Sequence, residues 1–346
     1  MAGKPPERVL VCLRYGIGDV VMEMPALRAL RAQWPQAHLT ALGAWPALEL
    51  LAGDAVFNSL AGTQDFGFHH WWDDGTEASR RKIAGWLREQ DFQLILDATH
   101  AVTGIRQQLA QLGAPILDTG GYLGAAGAAG ARSIWRSAVD AWGLSECDTP
   151  PLPRLHIPER ARRMAERFVL HRGLSAQPLI GLAPVASSEL KRWPLDRICE
   201  LVGRIAAAGT HHLLVFGIAG DDRPTINQLQ HAAAGRFHRV EPMHLQHTAA
   251  LITHCQALVS NDTGLMHMSA AVGTPTVAVF GPTAWRVALP VGAVAVSSDL
   301  KCGYRLEDRF GPPECILRER CLIGAHSCIA TVSVDAVHGA LRHLLA

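Results

Sequence analysis

The residues best placed to do chemistry run from Ser260-Asn261-Asp262-Thr263-Gly264-Leu265-Met266-His267 through Ala270-Ala271-Val272-Gly273-Thr274-Pro275 to Phe280-Gly281-Pro282-Thr283. The apolar run Ala257-Leu258-Val259 precedes them and reads as a buried strand. Asp262 and Thr263 fall where the next helix should begin, in the role of N-cap residues. Gly264 lets the backbone come close to a ligand. A helix start behind a small polar turn offers N–H groups and a positive dipole end to an anion. His267, one turn into that helix, can face the same space. The next strand, Thr276 to Phe280, ends in a second tight turn, Gly281-Pro282-Thr283. Together these describe a phosphate-facing crevice of an open α/β sheet. Asp-Thr-Gly alone would indicate no more than a well-capped crossover helix.

Three further strand ends carry polar residues. The first strand runs into Arg14-Tyr15-Gly16-Ile17-Gly18-Asp19. This is not the spaced glycine fingerprint of dinucleotide binders, and no suitable acid follows the second strand. Gly16 and Gly18 permit a tight turn, and Asp19 sits at the helix start, as a cap or aimed at the sheet's carboxyl edge. The second is Ala183-Pro184-Val185-Ala186-Ser187-Ser188-Glu189-Leu190-Lys191-Arg192-Trp193-Pro194. Its serines can bind phosphate through Oγ and backbone N–H, and Lys191 offers a diphosphate a point charge. Its bland reading is a polar surface loop. The third, Phe216-Gly217-Ile218-Ala219-Gly220-Asp221-Asp222, carries acids able to accept hydrogen bonds from ribose hydroxyls, one of which could cap the following helix.

Four of the eight cysteines, Cys302, Cys315, Cys321 and Cys328, fall near the C-terminus. No Cys-x-x-Cys pair is present, so this is no zinc ribbon. A four-thiolate zinc or iron site, inert buried thiols and one disulfide are the readings open to them. In the first half, His69-His70-Trp71-Trp72, Arg80-Arg81-Lys82, His100 and Arg106 could meet an anionic acceptor. A solvated helix face explains the basic run better, and His-Trp pairs are more often packing than ligands.

Strands and helices must alternate to position these residues. Strands are expected at 8–13, 38–42, 92–97, 115–117, 179–183, 212–216, 257–260 and 276–280. Helices are expected at 19–34, 103–112, 132–142, 159–171, 194–208 (with Pro194 in its first turn) and 334–345. Residues 122–131 are rich in Gly and Ala and read as a loop. Thr149-Pro150-Pro151-Leu152-Pro153 cannot continue a helix and reads as a linker. Strands alternating with helices argue for parallel sheets, here in two series.

The chain has 346 residues, comfortable for two domains. With 49% apolar and 18% charged residues it is globular. A formal net charge of +1 gives no reason to expect nucleic acid. No apolar run approaches membrane-span length and no signal peptide is evident, so the cytoplasm is the expected compartment. The cysteines without a secretion signal argue against a disulfide framework.

The pattern from Asp262 to Thr283 resembles the C-terminal signature of glycosyltransferase family 9, the ADP-heptose-dependent heptosyltransferases of lipopolysaccharide assembly. Gly18-Asp19-Val20-Val21 followed by Pro25-Ala26-Leu27-Arg28 is similar to that family's N-terminal motif, and Lys191-Arg192-Trp193-Pro194 to another recurrent feature. The resemblance implies an α/β protein of GT-B type, two Rossmann-like domains with parallel sheets facing a central cleft. Residues 1–155 would bind the acceptor. Residues 156–346 would bind the nucleotide sugar and carry the cysteine tail, with the final helix a candidate to pack back on the first domain. The activity implied is inverting transfer. Asp19, flanked by the Arg14, Gly16 and Gly18 loop, would be the base that deprotonates the acceptor hydroxyl. Ser187, Ser188 and Lys191 look like diphosphate ligands, joined by Asp262, Thr263, Gly264 and His267, with Asp221 or Asp222 on the ribose. Lys191 and the helix start would stabilise the departing ADP, so no cofactor or divalent metal is demanded for catalysis. The family's usual Pro-Gly start to the Lys191 loop is Ala183-Pro184-Val185 here. Its tail cysteines usually begin with a close pair; here Gly303 to Glu314 intervenes. The implied partners are an ADP-sugar donor and a lipopolysaccharide-type acceptor at the inner face of the inner membrane. Two alternatives are another acceptor or nucleotide sugar on the same fold, and an inactive nucleotide-sugar-binding scaffold. The oligomeric state is open.

Overall fold

The computed structural model describes residues 4–69, 73–99, 104–119, 130–145, 151–218, 220–304, 313–324 and 327–346. His70, Trp71, Trp72, His100, most of the Gly/Ala-rich stretch, Thr149, Pro150 and residues 305–312 of the inserted segment lie outside the described residues. The chain divides into two compact units, Met1–His156 and Ile157–Ala346.

The first unit contains β1 (Arg8–Cys12), α1 (Ile17–Gln33), β2 (His38–Gly43), β3 (Ser59–Gly62), α2 (Glu77–Gln90), β4 (Leu94–Asp97), α3 (Gly104–Ala110), β5 (Ile116–Asp118) and α4 (Gly130–Trp142). Its strands pair in parallel in the order β3-β2-β1-β4-β5. Successive residues of β1 face opposite sides of the sheet. Val9, Val11 and Leu13 join one core with Val20, Leu27 and Trp135 of α1 and α4. Leu10 and Cys12 join another with Ile83, Leu87, Ile105 and Leu109 of α2 and α3. Because helices cover both faces, these strands read as unbroken apolar runs rather than alternating ones.

The second unit contains α5 (Glu159–His171), β6 (Leu179–Ala183), α6 (Leu195–Ala207), β7 (His212–Val215), α7 (Arg223–Ala232), β8 (Phe237–Arg239), α8 (Leu245–Ile252), β9 (Ala257–Asn261), α9 (Gly264–Ala271), β10 (Thr276–Phe280), α10 (Trp285–Ala288), β11 (Val294–Ser297), α11 (Glu314–Leu317), α12 (Ser327–Ala330) and α13 (Val334–Leu345). The strand order is β11-β10-β9-β6-β7-β8, all parallel. The two faces of β6 feed separate cores. Ile180 and Leu182 pack with α6, α7 and Val334, Val337 and Leu341 of α13, while Leu179 packs with α5 and α8. Burying each such Leu, Ile or Val stabilises the fold by about 1.5–3 kcal/mol. At Gly181 a larger residue would force the core to shift: a Cβ there would lie 2.5 Å from the Leu258 side chain.

In each sheet the strand order reverses beside the first strand, between β1 and β4 and between β6 and β9. Loops leaving the carboxyl ends of such a strand pair diverge to opposite sides and leave room for a ligand. Three helix starts differ from expectation. The cap of α9 is Thr263, whose side chain accepts from the Leu265 N–H, and Asp262 stands outside the helix. The cap of α1 is Gly16, in extended conformation, which places Asp19 inside the first turn. Pro194 is the cap of α6 rather than a residue of its first turn.

Candidate functional site

The β6–β9 switch point brings the Lys191 loop and the Asp262 turn together. Asn261, the last residue of β9, is 3% exposed. Its Nδ2 donates to the Pro184 carbonyl at 2.7 Å, and its Oδ1 accepts from the Trp193 N–H at 3.2 Å. One amide thereby holds both ends of the loop. Within it Ser188 accepts from the Leu190 N–H at 3.3 Å and caps a single 3-10 turn, Glu189–Lys191. Ser187 is exposed. The turn projects Lys191 Nζ to within 2.8 Å of Asp262 Oδ2. Thr283, beyond the end of β10, donates its hydroxyl to the same carboxylate oxygen. Ser260 Oγ lies 3.3 Å from Thr263 Oγ1 at the start of α9.

The charges follow from this packing. Burial pushes the Asp262 carboxyl up, yet the charge and hydrogen bond of Lys191, with the Thr283 hydroxyl, outweigh burial and hold it below its usual range. His267 is 6% exposed. Burial pushes its imidazole down to about 4, with Lys191 acting in the same sense and Asp262 opposing, so it is neutral at pH 7. The cluster therefore offers an anion a half-buried ammonium, a neutral imidazole and a helix N-terminus. Asp262 does not join this offer, because it balances Lys191. Asp222 caps α7 by accepting from the Thr225 N–H at 3.3 Å, and Asp221 is exposed.

In the first unit the β1–β4 switch point gathers Arg14, Asp19 and Asp97. Asp19 is half-buried, and its Oδ2 would lie 2.2 Å from a Cβ placed on Gly16, so a larger residue there would displace the Asp19 carboxylate. Arg14 is buried; its Nε donates to the Ala98 carbonyl at 2.7 Å and lies 3.4 Å from Glu23 Oε1. Gly18 is half-buried in the first turn of α1. Arg106, a candidate for meeting an acceptor, binds the buried Asp97 and, at 3.0 Å, Asp118. The basic run on α2 has local partners: Arg80 with the Asp74 and Gly75 carbonyls, Arg81 with Glu77, and Lys82 with the Asp65 carbonyl. His69 is exposed, its backbone N–H donating to Asp73.

Among the C-terminal cysteines, Cys302 and Cys321 lie near enough to Cys315 for their charge to act on its thiol. Cys315 and Cys328 are buried on separate short helices, α11 and α12, while Cys302 and Cys321 are half-buried in the connecting segments. Burial pushes the Cys315 thiol up, and the nearby Cys302 and Cys321 act in the same sense. Among the described residues no three His, Cys, Asp or Glu side chains come together as ligands for one ion. No described cysteine forms a disulfide, and no described helix is long and apolar enough to cross a membrane.

Sequence reasoning missed Asn261 as the clasp of the Lys191 loop, Thr283 as a partner of Asp262, and Glu23. The available signal was polar side chains at strand ends and on the apolar face of α1, where an unexplained polar residue calls for a partner.

Comparison with known proteins agrees with this architecture. The family model for glycosyltransferase family 9 (heptosyltransferase) matches residues 136–308, half of the chain. The chain is 27% identical to lipopolysaccharide heptosyltransferase 2 of Salmonella typhimurium, covering 86% of this chain and 89% of the relative. Among solved structures, a family 9 glycosyl transferase from Veillonella parvula superimposes with a TM-score of 0.79 at 18% identity, covering 100% and 99% of the two chains. The Escherichia coli ADP-heptose lipopolysaccharide heptosyltransferase II gives 0.73 at 21% identity, covering 98% of each. Two parallel-sheet α/β units of the GT-B fold, carrying the family's motifs at both switch points, make this chain a glycosyltransferase, and it belongs to glycosyltransferase family 9, the heptosyltransferases.

Proposed function

We propose that the chain moves heptose, with inversion, from ADP-heptose to an inner-core lipopolysaccharide acceptor. The observation that carries the donor half is the Lys191–Asp262 contact of 2.8 Å at the switch point of the second unit, beside the N-terminus of α9. A diphosphate there would accept hydrogen bonds from Lys191, Ser187 and the amides of Thr263 and Gly264. Its negative charge would share Lys191 with Asp262. As the sugar leaves, charge grows on the β-phosphate, and a fixed ammonium and helix dipole stabilise it without reorganising. Neutral His267 can donate one hydrogen bond to the same group. Asp221, exposed after β7, suits the ribose hydroxyls better than Asp222, whose carboxylate is engaged as a cap.

The first unit supplies the base. Asp19 would take the proton of the acceptor hydroxyl as that oxygen attacks the anomeric carbon. The donor assignment is also in keeping with the names of the similar proteins, an ADP-heptose heptosyltransferase among them. The acceptor would be met at the inner-membrane surface by the cytoplasmic enzyme, and no step calls for a metal. The test is a donor panel: ADP-heptose, ADP-glucose and UDP- and GDP-sugars are each incubated with heptose-deficient lipopolysaccharide, and nucleotide release is followed. Release from ADP-heptose above all others is expected; preference for a UDP- or GDP-sugar would overturn the assignment.

A further inference from the structure

Glu23 lies on α1 one turn after Asp19, so both carboxyl groups share a face of the helix. Glu23 is 1% exposed. Neither of its oxygens has a hydrogen-bond partner among the described residues. The Arg14 amide lies close enough to favour the anion slightly, outside hydrogen-bond geometry. The cation facing it is Arg14, at 3.4 Å, and Arg14 is also felt by Asp19 on α1 and Asp118 on β5. One guanidinium thus interacts electrostatically with three acids. A buried carboxylate without hydrogen bonds and with a shared cation is costly, whereas a half-exposed carboxylate is not. The proton therefore belongs on Glu23 and the charge on Asp19.

We propose that Glu23 is a positioning residue for Asp19: as an uncharged acid it packs against Arg14 and leaves the charge of that guanidinium to Asp19. The role rests on the reading of Asp19 as the base. Burial is the main cause that pushes the Glu23 carboxyl up to about 8, with the charge of Asp19 acting in the same sense and Arg14 opposing. At neutral pH Arg14 then has Asp19, rather than Glu23, as its ionised neighbour on α1. The two acids divide the work by environment: the buried one stays neutral and the half-buried one stays charged.

The test compares wild type with Glu23→Gln, which imitates the uncharged acid. Folded Glu23 keeps its proton to about pH 8, while the unfolded chain releases it near 4.5. Between those values the folded chain binds more protons, so wild-type stability falls as pH rises and levels off above 8. The melting temperature of wild type should therefore drop relative to Glu23→Gln from pH 5 to 8. A variant melting below wild type by a constant margin across that range means an ionised Arg14–Glu23 pair and overturns the proposal. A second reading needs no folded variant: infrared spectroscopy of wild type at pH 7 should show a protonated-carboxyl band that disappears above pH 8, and its absence also overturns the proposal. In activity, Arg14→Met should move the acid limb of kcat/KM up by about one pH unit or more, while Glu23→Gln keeps its midpoint. Failure of the base reading shows separately, as undiminished turnover in Asp19→Asn. Failure of the Glu23 assignment shows in the melting and infrared arms with Asp19→Asn inactive.

Discussion

Replacing Lys191 with Ala should have two effects that can be separated. Lys191 Nζ lies 2.8 Å from Asp262 Oδ2, and the two side chains are 21% and 8% exposed. Truncating the lysine leaves a buried carboxylate without its cation. Breaking a buried pair costs about 3–5 kcal/mol. Water can reach the lysine end of this pair, so about 2–3 kcal/mol is the expected loss. The loss depends on pH. Removing Lys191 takes away the main influence that holds the Asp262 carboxyl down and leaves burial opposed by the Thr283 hydroxyl, so the carboxyl should move up. The folded variant then takes up its proton before folded wild type does as pH falls, so the deficit is complete at neutral pH and shrinks in acid. Adding Asp262→Asn removes the orphaned charge and should restore most of the stability. ADP binding obeys a different logic. A charge-assisted hydrogen bond to the β-phosphate contributes roughly 1.5–3 kcal/mol, so Lys191→Ala should weaken ADP by about ten- to a hundred-fold. The double variant should not regain it, and AMP should change less. Calorimetric titration of ADP and AMP against wild type and both variants, with thermal denaturation from pH 5 to 8, reads both effects. Equal losses for ADP and AMP would refute the β-phosphate contact. ADP affinity that returns with stability in the double variant would show that Lys191 acts by holding the fold.

Asp19→Asn should lower turnover by about two to four orders of magnitude with little change in ADP affinity, measured by initial rates and calorimetry; near-wild-type turnover would reduce Asp19 to a helix residue. Asp222→Ala should cost about 1 kcal/mol of stability through its lost cap, whereas Asp221→Asn should weaken ADP binding and leave the melting temperature in place. The reverse pattern would exchange their roles. Elemental analysis of purified protein should find well under one zinc or iron per chain, and a chelator should not shift the melting temperature; one tightly held metal per chain would favour the four-thiolate reading of Cys302, Cys315, Cys321 and Cys328.

Much of the fold was legible because a parallel strand covered on both faces becomes a continuous apolar run. Leu179–Ala183 and Thr276–Phe280 end at the same residues in sequence and structure. The strands that escaped notice, β3, β8 and β11, all lie at sheet edges, are three or four residues long and are only partly buried, so no pattern marks them. At the site, the shared location of Lys191 and Asp262 followed from the rule that α/β turns gather at one sheet edge. What periodicity could not reveal is which side chains pair there. The neutralisation of Lys191 by Asp262, and the hold of Asn261 on Pro184 and Trp193, depend on β6 lying beside β9. That neighbourhood is set by strand order, and strand order leaves no local trace in the chain. Glu23 was hidden for a related reason: its neighbours Arg14 and Asp19 are close in sequence, but its burial arises from the sheet and helices around it.

The measurement that bears most directly on the central claim is mass spectrometry of heptose-deficient lipopolysaccharide after incubation with the enzyme and ADP-heptose. The acceptor should gain the mass of one heptosyl residue, with the new linkage inverted at the anomeric carbon, and Asp19→Asn should all but abolish the gain. An unchanged acceptor with ADP-heptose, alongside transfer from a different nucleotide sugar or onto a protein, would contradict that claim.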